Sequence, residues 1–206
     1  MTKEKLLVLG NYTDAMYHPL TGVDERLRGI LSEQELVCTD RTQMLLSLEK
    51  EQFAGVISYL DIWSSALTEQ ETEALYRFAE EGGAILLLHN GISIQNREIL
   101  KEMAGARFLT HPPKEEICFK TRPHAITEGC GGFSLTEEPY QFEMTDDGKE
   151  VFLVYVYRGT EYAAGWSKTV GKGRLVFLAP GHTPKIFDCP AYAALIRKSM
   201  QWCLKK

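Results

Sequence analysis

His18, His89 and His182 each stand a few residues beyond, or directly behind, a short apolar run, and three of the five histidines therefore fall where strands are expected to end. In an open α/β sheet that is where ligands bind, because the loops leaving the carboxyl ends of the strands converge there. Imidazole titrates near neutrality and gives or takes protons at physiological pH, and a carboxylate beside it tunes or orients it. Glu138, in Glu137-Glu138-Pro139-Tyr140, offers that carboxylate, and the alternative for this stretch is a solvated acidic turn. We expect His89, His182 and Glu138 to be the acid–base groups. His18, Asp61, Trp63, Asn90, Tyr140 and Trp166 are expected to bind substrate. Trp63 and Trp166 would offer flat platforms to a sugar ring, with core packing as the alternative, above all for Trp166 at a strand end. His18, His89, His182 and Glu138 could also hold a divalent zinc or manganese ion, although no HxxH or HExxH spacing supports a metal. His111, before Pro112-Pro113, is expected to be exposed, and for His124 structural and functional roles stay open.

The elements that must position these residues alternate from the start. Leu6-Leu7-Val8-Leu9, ended by Gly10, reads as a strand buried on both faces. Thr21 is expected to cap a helix with Val23, Leu27, Ile30 and Leu31 on its inner face. Leu36-Val37-Cys38 gives a second strand, Met44 to Phe53 a second helix, and Ala54 to Leu60 a third strand. Thr68-Glu69-Gln70-Glu71 is a capping box, and Gly82-Gly83 ends its helix where a side chain would clash. Ala84-Ile85-Leu86-Leu87-Leu88 follows as strand four, with Ser93 expected to cap a helix running to Met103. Four such units build a parallel sheet covered on both faces. Beyond them Ile117–Thr121, Val151–Tyr157, Tyr162–Trp166 and Leu175–Ala179 read as strands without helices between them, hence an antiparallel extension. A helix from Pro190, with Tyr192, Leu195, Ile196, Met200 and Cys203 on one stripe, closes the chain. Residues 1–206 read as one domain.

Of 206 residues, 44% are apolar and 25% charged, as in an ordinary globular protein. A formal charge of −5 with no basic stripe argues against nucleic acid and anionic lipid as partners. The densest cationic spots are only Arg26/Arg28 and Lys205–Lys206. No signal segment precedes the first strand and no apolar run reaches membrane-spanning length, so we expect a cytoplasmic protein. Its five cysteines are scattered and odd in number, which suits reduced thiols better than a disulfide frame or zinc ribbon. A homo-oligomer is the base-rate expectation.

Four ordered segments resemble the trehalose-utilisation (ThuA-like) family. Gly82-Gly83-Ala84-Ile85-Leu86-Leu87-Leu88-His89 is similar to its "GGG…LH" run, and Glu138 and Tyr140 match its "DE-x-Y" segment. His124-Ala125-Ile126-Thr127-Glu128-Gly129 resembles "HPIT-x-G" with alanine for proline. Trp166, Gly171 to Phe177 and Gly181-His182 resemble "W…GKGRV…GH". The resemblance implies a three-layer α/β domain, flavodoxin-like and similar to class I glutamine amidotransferases, its mostly parallel open sheet extended antiparallel in the C-terminal half. Amidotransferases carry a nucleophilic cysteine in a sharp elbow after a central strand. The matching turn here, Leu88-His89-Asn90-Gly91, has neither cysteine nor serine, which disfavours a thioester route. The resemblance implies processing of a sugar or keto-sugar of the trehalose type, the keto-sugar being made by a partner oxidoreductase. Three readings stay open: a His/Glu acid–base hydrolase or isomerase, a metal-dependent version, and a non-catalytic sugar-binding or scaffold protein.

Overall fold

A computed structural model describes residues 3–145 and 148–205, so Lys206 of the terminal cationic pair lies outside the described residues. The apolar run at the start becomes β1 (Lys5–Gly10), pairing in parallel with β2 (Glu35–Thr39) on one side and β3 (Phe53–Tyr59) on the other. β4 (Ala84–Leu88) lies parallel to β3, and β11 (Gly173–Leu178) lies parallel to β4. The order β2-β1-β3-β4-β11 is the flavodoxin-like arrangement, whose direction reverses between β1 and β3.

Beyond β11 the sheet continues through β10 (Thr160–Val170), β9 (Glu150–Tyr157), β6 (Glu115–Thr121) and β7 (Phe133–Glu137), each antiparallel to its neighbour. The expected extension is therefore present. It is corrected in one respect: the last strand joins the parallel half and seams the two halves together. A small ribbon of β5 (Ala106–Thr110) and β8 (Gln141–Met144), unforeseen from the sequence, lies apart from the main sheet.

Helices α1 (Val23–Ile30) and α4 (Pro190–Leu204) pack together on one face of the sheet. The right-handed crossover rule puts α2 (Glu69–Glu80) and α3 (Glu98–Ala104) on the other. On α4 the stripe Tyr192, Leu195, Ile196, Met200 and Cys203 is buried as its spacing predicts. Three helix starts differ from expectation. Gly22, in the left-handed region, precedes α1 where Thr21 was expected to cap, and Asp24 Oδ1 accepts the Gly22 N–H instead. The second helix is a single 3-10 stretch, Thr42–Ser47, and Phe53 already belongs to β3. Ser93 caps nothing: it lies in a 3-10 segment, His89–Asn96, where its hydroxyl donates to Leu60 O and accepts the Ile62 N–H.

The capping box at α2 forms as read. Thr68 Oγ1 accepts the Glu71 N–H at 3.2 Å, and Glu71 Oε2 accepts the Thr68 N–H at 2.8 Å. Burial raises the Glu71 pKa, but hydrogen bonds from Thr42 and Thr68 together outweigh it and the net shift is downward. A depressed carboxyl stabilises the fold above its unfolded pKa and loses that contribution as pH falls through the folded value. Glu71→Ala should therefore cost about 1–2 kcal/mol at neutral pH. Urea unfolding should show the gap to wild type closing in acid, and a gap independent of pH would refute the assignment.

Candidate functional site

The sharp turn after β4 carries the first site residue. His89 has φ +46°, a left-handed conformation that costs a non-glycine residue energy and persists where the surroundings enforce it. What enforces it is tight packing behind the turn: a Cβ on Gly91 would sit 2.0 Å from Ser58 O, and one on Gly181 would sit 2.6 Å from His89 Cβ. Gly91→Ala should thus destabilise by about 3 kcal/mol, since the obstacle is main chain that cannot rotate away. A loss under about 1 kcal/mol on urea titration would show that the turn relaxes.

The imidazole of His89 is fully buried and its Nδ1 lies 2.7 Å from the Ala179 carbonyl. A carbonyl only accepts, so Nδ1 carries a hydrogen, and in that tautomer the Nε2 lone pair faces the strand ends. Around that lone pair the other loops close. His18 Nε2 is 3.2 Å away, the Tyr140 hydroxyl 3.1 Å and Glu138 Oε2 3.5 Å. His182 Nδ1 lies 3.1 Å from His18 Nε2 and 3.1 Å from Glu138 Oε1. One ligand-type atom from each of His18, His89, Glu138 and His182 falls within 4.8 Å of every other.

Each loop is pinned from behind. Asp61, on the loop after β3, accepts the backbone N–H groups of Tyr17 and His18 on its Oδ2 at 2.6 and 2.7 Å, and Asn11 holds the Asp61 N–H at 2.9 Å. The loop after β11 is held by Glu137, whose Oε1 accepts the Gly181 N–H and, at 2.7 Å, the His182 N–H. Glu137 Oε2 takes the Glu138 N–H at 3.0 Å. Sequence reasoning missed Glu137 as an anchor, because an acidic pair before Pro139 reads as a solvated turn and nothing local says that its first member is completely buried.

Burial, reinforced by the neighbouring His89 and His182, pushes the His18 pKa down to about 3, so this ring is neutral at physiological pH. Burial also raises Glu138, but His182, hydrogen-bonded to it, and the nearby His89 ring prevail and hold its carboxyl well below the usual range. The Glu138 hydrogen bond raises His182 above its ordinary value against the opposing effect of burial. His182 and Glu138 therefore favour an imidazolium–carboxylate pair beside two imidazoles, one of them held neutral.

Of the expected substrate contacts, Tyr140 is buried with its ring stacked on His89 at 4.3 Å between centroids. Trp63 is half-buried and touches Phe108, which in turn touches Tyr140, so an aromatic wall runs from Trp63 to the cluster. His111 joins this wall. Exposed as expected, it nonetheless stacks on Tyr140 and brings Nδ1 to 3.8 Å from Glu138 Oε1. Asn90 lies inside rather than on a binding surface, donating to Tyr59 O at 2.8 Å. Trp166 corrects expectation outright. It is fully buried, its indole N–H donates to Ala104 O, and its ring packs on Phe142 and Phe177, so it is the core residue that was the alternative for it. His124 accepts the Ile126 N–H on Nδ1, so its Nε2 carries the hydrogen and lies 3.0 Å from Ser167 Oγ; it is no base for that serine.

The sequence fits the model of a family described as ThuA, trehalose utilisation, over residues 6–203. The chain belongs to the ThuA family. Membership ties it to trehalose utilisation in general terms. A crystal structure described as ThuA-like from Bacteroides uniformis matches at TM-score 0.77 and 16% identity, covering 97% of this chain and 91% of that one. Another from Parabacteroides merdae matches at 0.79 and 13%, covering 99% and 91%. A Salmonella typhimurium protein described as cytoplasmic matches at 0.71 and 13%, covering 98% and 100%. At such identities the likeness is one of fold. No curated protein matches this sequence significantly. Among the described residues no helix is long and apolar enough to cross a membrane.

Proposed function

We propose that this ThuA-family chain processes a sugar or keto-sugar of the trehalose type, with His18, His89, Glu138 and His182 as its reaction centre. The observation that carries this reading is the meeting of three imidazoles and a carboxylate, from loops after β1, β4, β7 and β11, within 4.8 Å. Such a group can polarise a carbonyl and move protons between neighbouring carbons or onto a leaving oxygen. It contains no thiol or serine hydroxyl, and the elbow that would hold such a nucleophile holds His89, so the reaction does not run through a thioester or a serine ester.

The half-buried rings of Trp63 and Phe108 and the exposed His111, backed by the buried Tyr140, support a sugar as ligand, since flat ring faces pack against the apolar face of a pyranose while leaving its hydroxyls free to hydrogen-bond. A keto-sugar substrate requires an oxidoreductase upstream to make it. The test is to incubate the purified chain with trehalose and its keto derivative, following products by NMR. Conversion of the keto derivative is expected. Binding without conversion would overturn the enzymatic part and leave a sugar-binding protein; neither binding nor conversion would overturn the whole reading.

A further inference from the structure

We propose that His18 Nε2, His89 Nε2, His182 Nδ1 and the Glu138 carboxylate bind one divalent first-row metal ion, zinc in the first instance. The inference deepens the proposed function, resting on the same four side chains as reaction centre but not on the identity of the sugar.

Spacing is the first argument. Zinc–nitrogen and zinc–oxygen bonds of about 2.0–2.1 Å put the corners of a tetrahedron about 3.3–3.4 Å apart. The observed separations are 3.2 Å for His18–His89, 3.1 Å for His18–His182, 3.5 Å for His89–Glu138 and 3.1 Å for His182–Glu138. The fifth, His18–Glu138, is 3.9 Å. The Glu138 distances are to Oε2 for His89 and His18 and to Oε1 for His182, and one ligand atom from each residue lies within 4.8 Å of every other, so side-chain rotation would close the set on an ion.

Unmet polar atoms are the second. Glu138 Oε2, His18 Nδ1 and Asp61 Oδ1 are buried without a hydrogen-bond partner. Such orphans are costly and call for an explanation, an unseen ion among them. A metal would use Glu138 Oε2 directly. It would also take the His18 Nε2 lone pair and so place the ring hydrogen on Nδ1, facing the Asp61 carboxylate at 3.8 Å.

The outer shell is the third. Ligating imidazoles are held in tautomer by an acceptor on the opposite nitrogen. His89 already gives Nδ1–H to Ala179 O, and His18 has Asp61 waiting. Charge agrees. Asp61, Glu137 and Glu138 bring three carboxyl groups to one buried region, and among the described residues the ion-pair partners of Glu138 are imidazoles alone: His18, His89, His111 and His182. A dication would displace the His182 proton and take its place as the positive charge beside them. Once bound, it would act as the Lewis acid on the sugar oxygen.

The test uses full-length protein purified without an affinity tag, stripped with chelator and titrated with zinc and separately with cobalt. One equivalent per chain is expected by elemental analysis and calorimetry, with visible cobalt bands of a four- or five-coordinate site. His182→Ala should weaken zinc at least about 100-fold and the outer-shell change Asp61→Asn about 10–100-fold, both checked by circular dichroism for folding. Folded protein that takes up less than about a tenth of an equivalent at saturating zinc, or folded variants that bind as tightly as wild type, overturn the proposal. Sugar turnover that persists in stripped protein overturns the metal and leaves the sugar reading standing. Stoichiometric zinc without turnover of any sugar does the reverse.

Discussion

His89→Asn should lower turnover of the keto-sugar about 10²–10⁴-fold, the range expected when a proton-transferring side chain is lost. Asparagine is the informative replacement because it tolerates the left-handed backbone at φ +46°, where alanine would add strain to the loss of the ring. Its amide N–H₂ can take over the hydrogen bond to Ala179 O, so the turn keeps its tie and only the Nε2 lone pair disappears. The loss should fall on kcat rather than KM, since that nitrogen acts at the reacting atoms and the aromatic wall remains. A variant within about threefold of wild type, by initial rates at saturating substrate, would remove His89 from the chemistry.

Glu137→Ala should cost the largest share of stability of any single polar change considered, about 3–6 kcal/mol. Its carboxyl group is inaccessible and accepts three backbone N–H groups, those of Gly181, His182 and Glu138. Each donor left buried without an acceptor costs about 1–3 kcal/mol. Relief from burying a carboxylate offsets part of this but does not cancel three orphaned donors. Glu137→Gln keeps one oxygen for Gly181 and His182 and turns an amide toward the Glu138 N–H, so its cost should be about a third as large. Urea denaturation ranks the three proteins. Equal stability of the alanine variant and wild type would mean that the β11 loop stands without its anchor.

Much of the scaffold was legible because its signals are local. The run Ala84–Leu88 has room only for a strand between Gly82-Gly83 and His89, and Thr68 to Glu71 spells a cap within four residues. What escaped depends on distant partners. Met44, Leu45 and Leu48 have helical spacing, yet the stretch is a short 3-10 segment tied to α2 through Thr42 and Glu71. The β5–β8 ribbon has weak strand character and forms where Phe142 can pack on Trp166 and Phe177. At the site, loop position after a strand was enough to find His18, His89 and His182. Position alone did not separate Glu138, which faces them, from Glu137, which holds the frame behind them; the match to the DE-x-Y segment singled out Glu138, and no signal marked Glu137 as an anchor. Nor could it separate Trp63 on the wall from Trp166 in the core, since indole suits both places and the difference is made by neighbours far along the chain.

The span from position 18 to position 182 has a consequence for how the molecule comes into being. A nascent chain that has reached only β4 carries His18 and His89 without Glu138 or the third imidazole. Only when the nascent polypeptide has supplied β7 and β11 does Glu137 have a loop to clasp. Competence is therefore acquired only once β11 and the loop beyond it have been made, and a product terminated before β11 would lack the strand that pairs with β4 as well as the assembled centre.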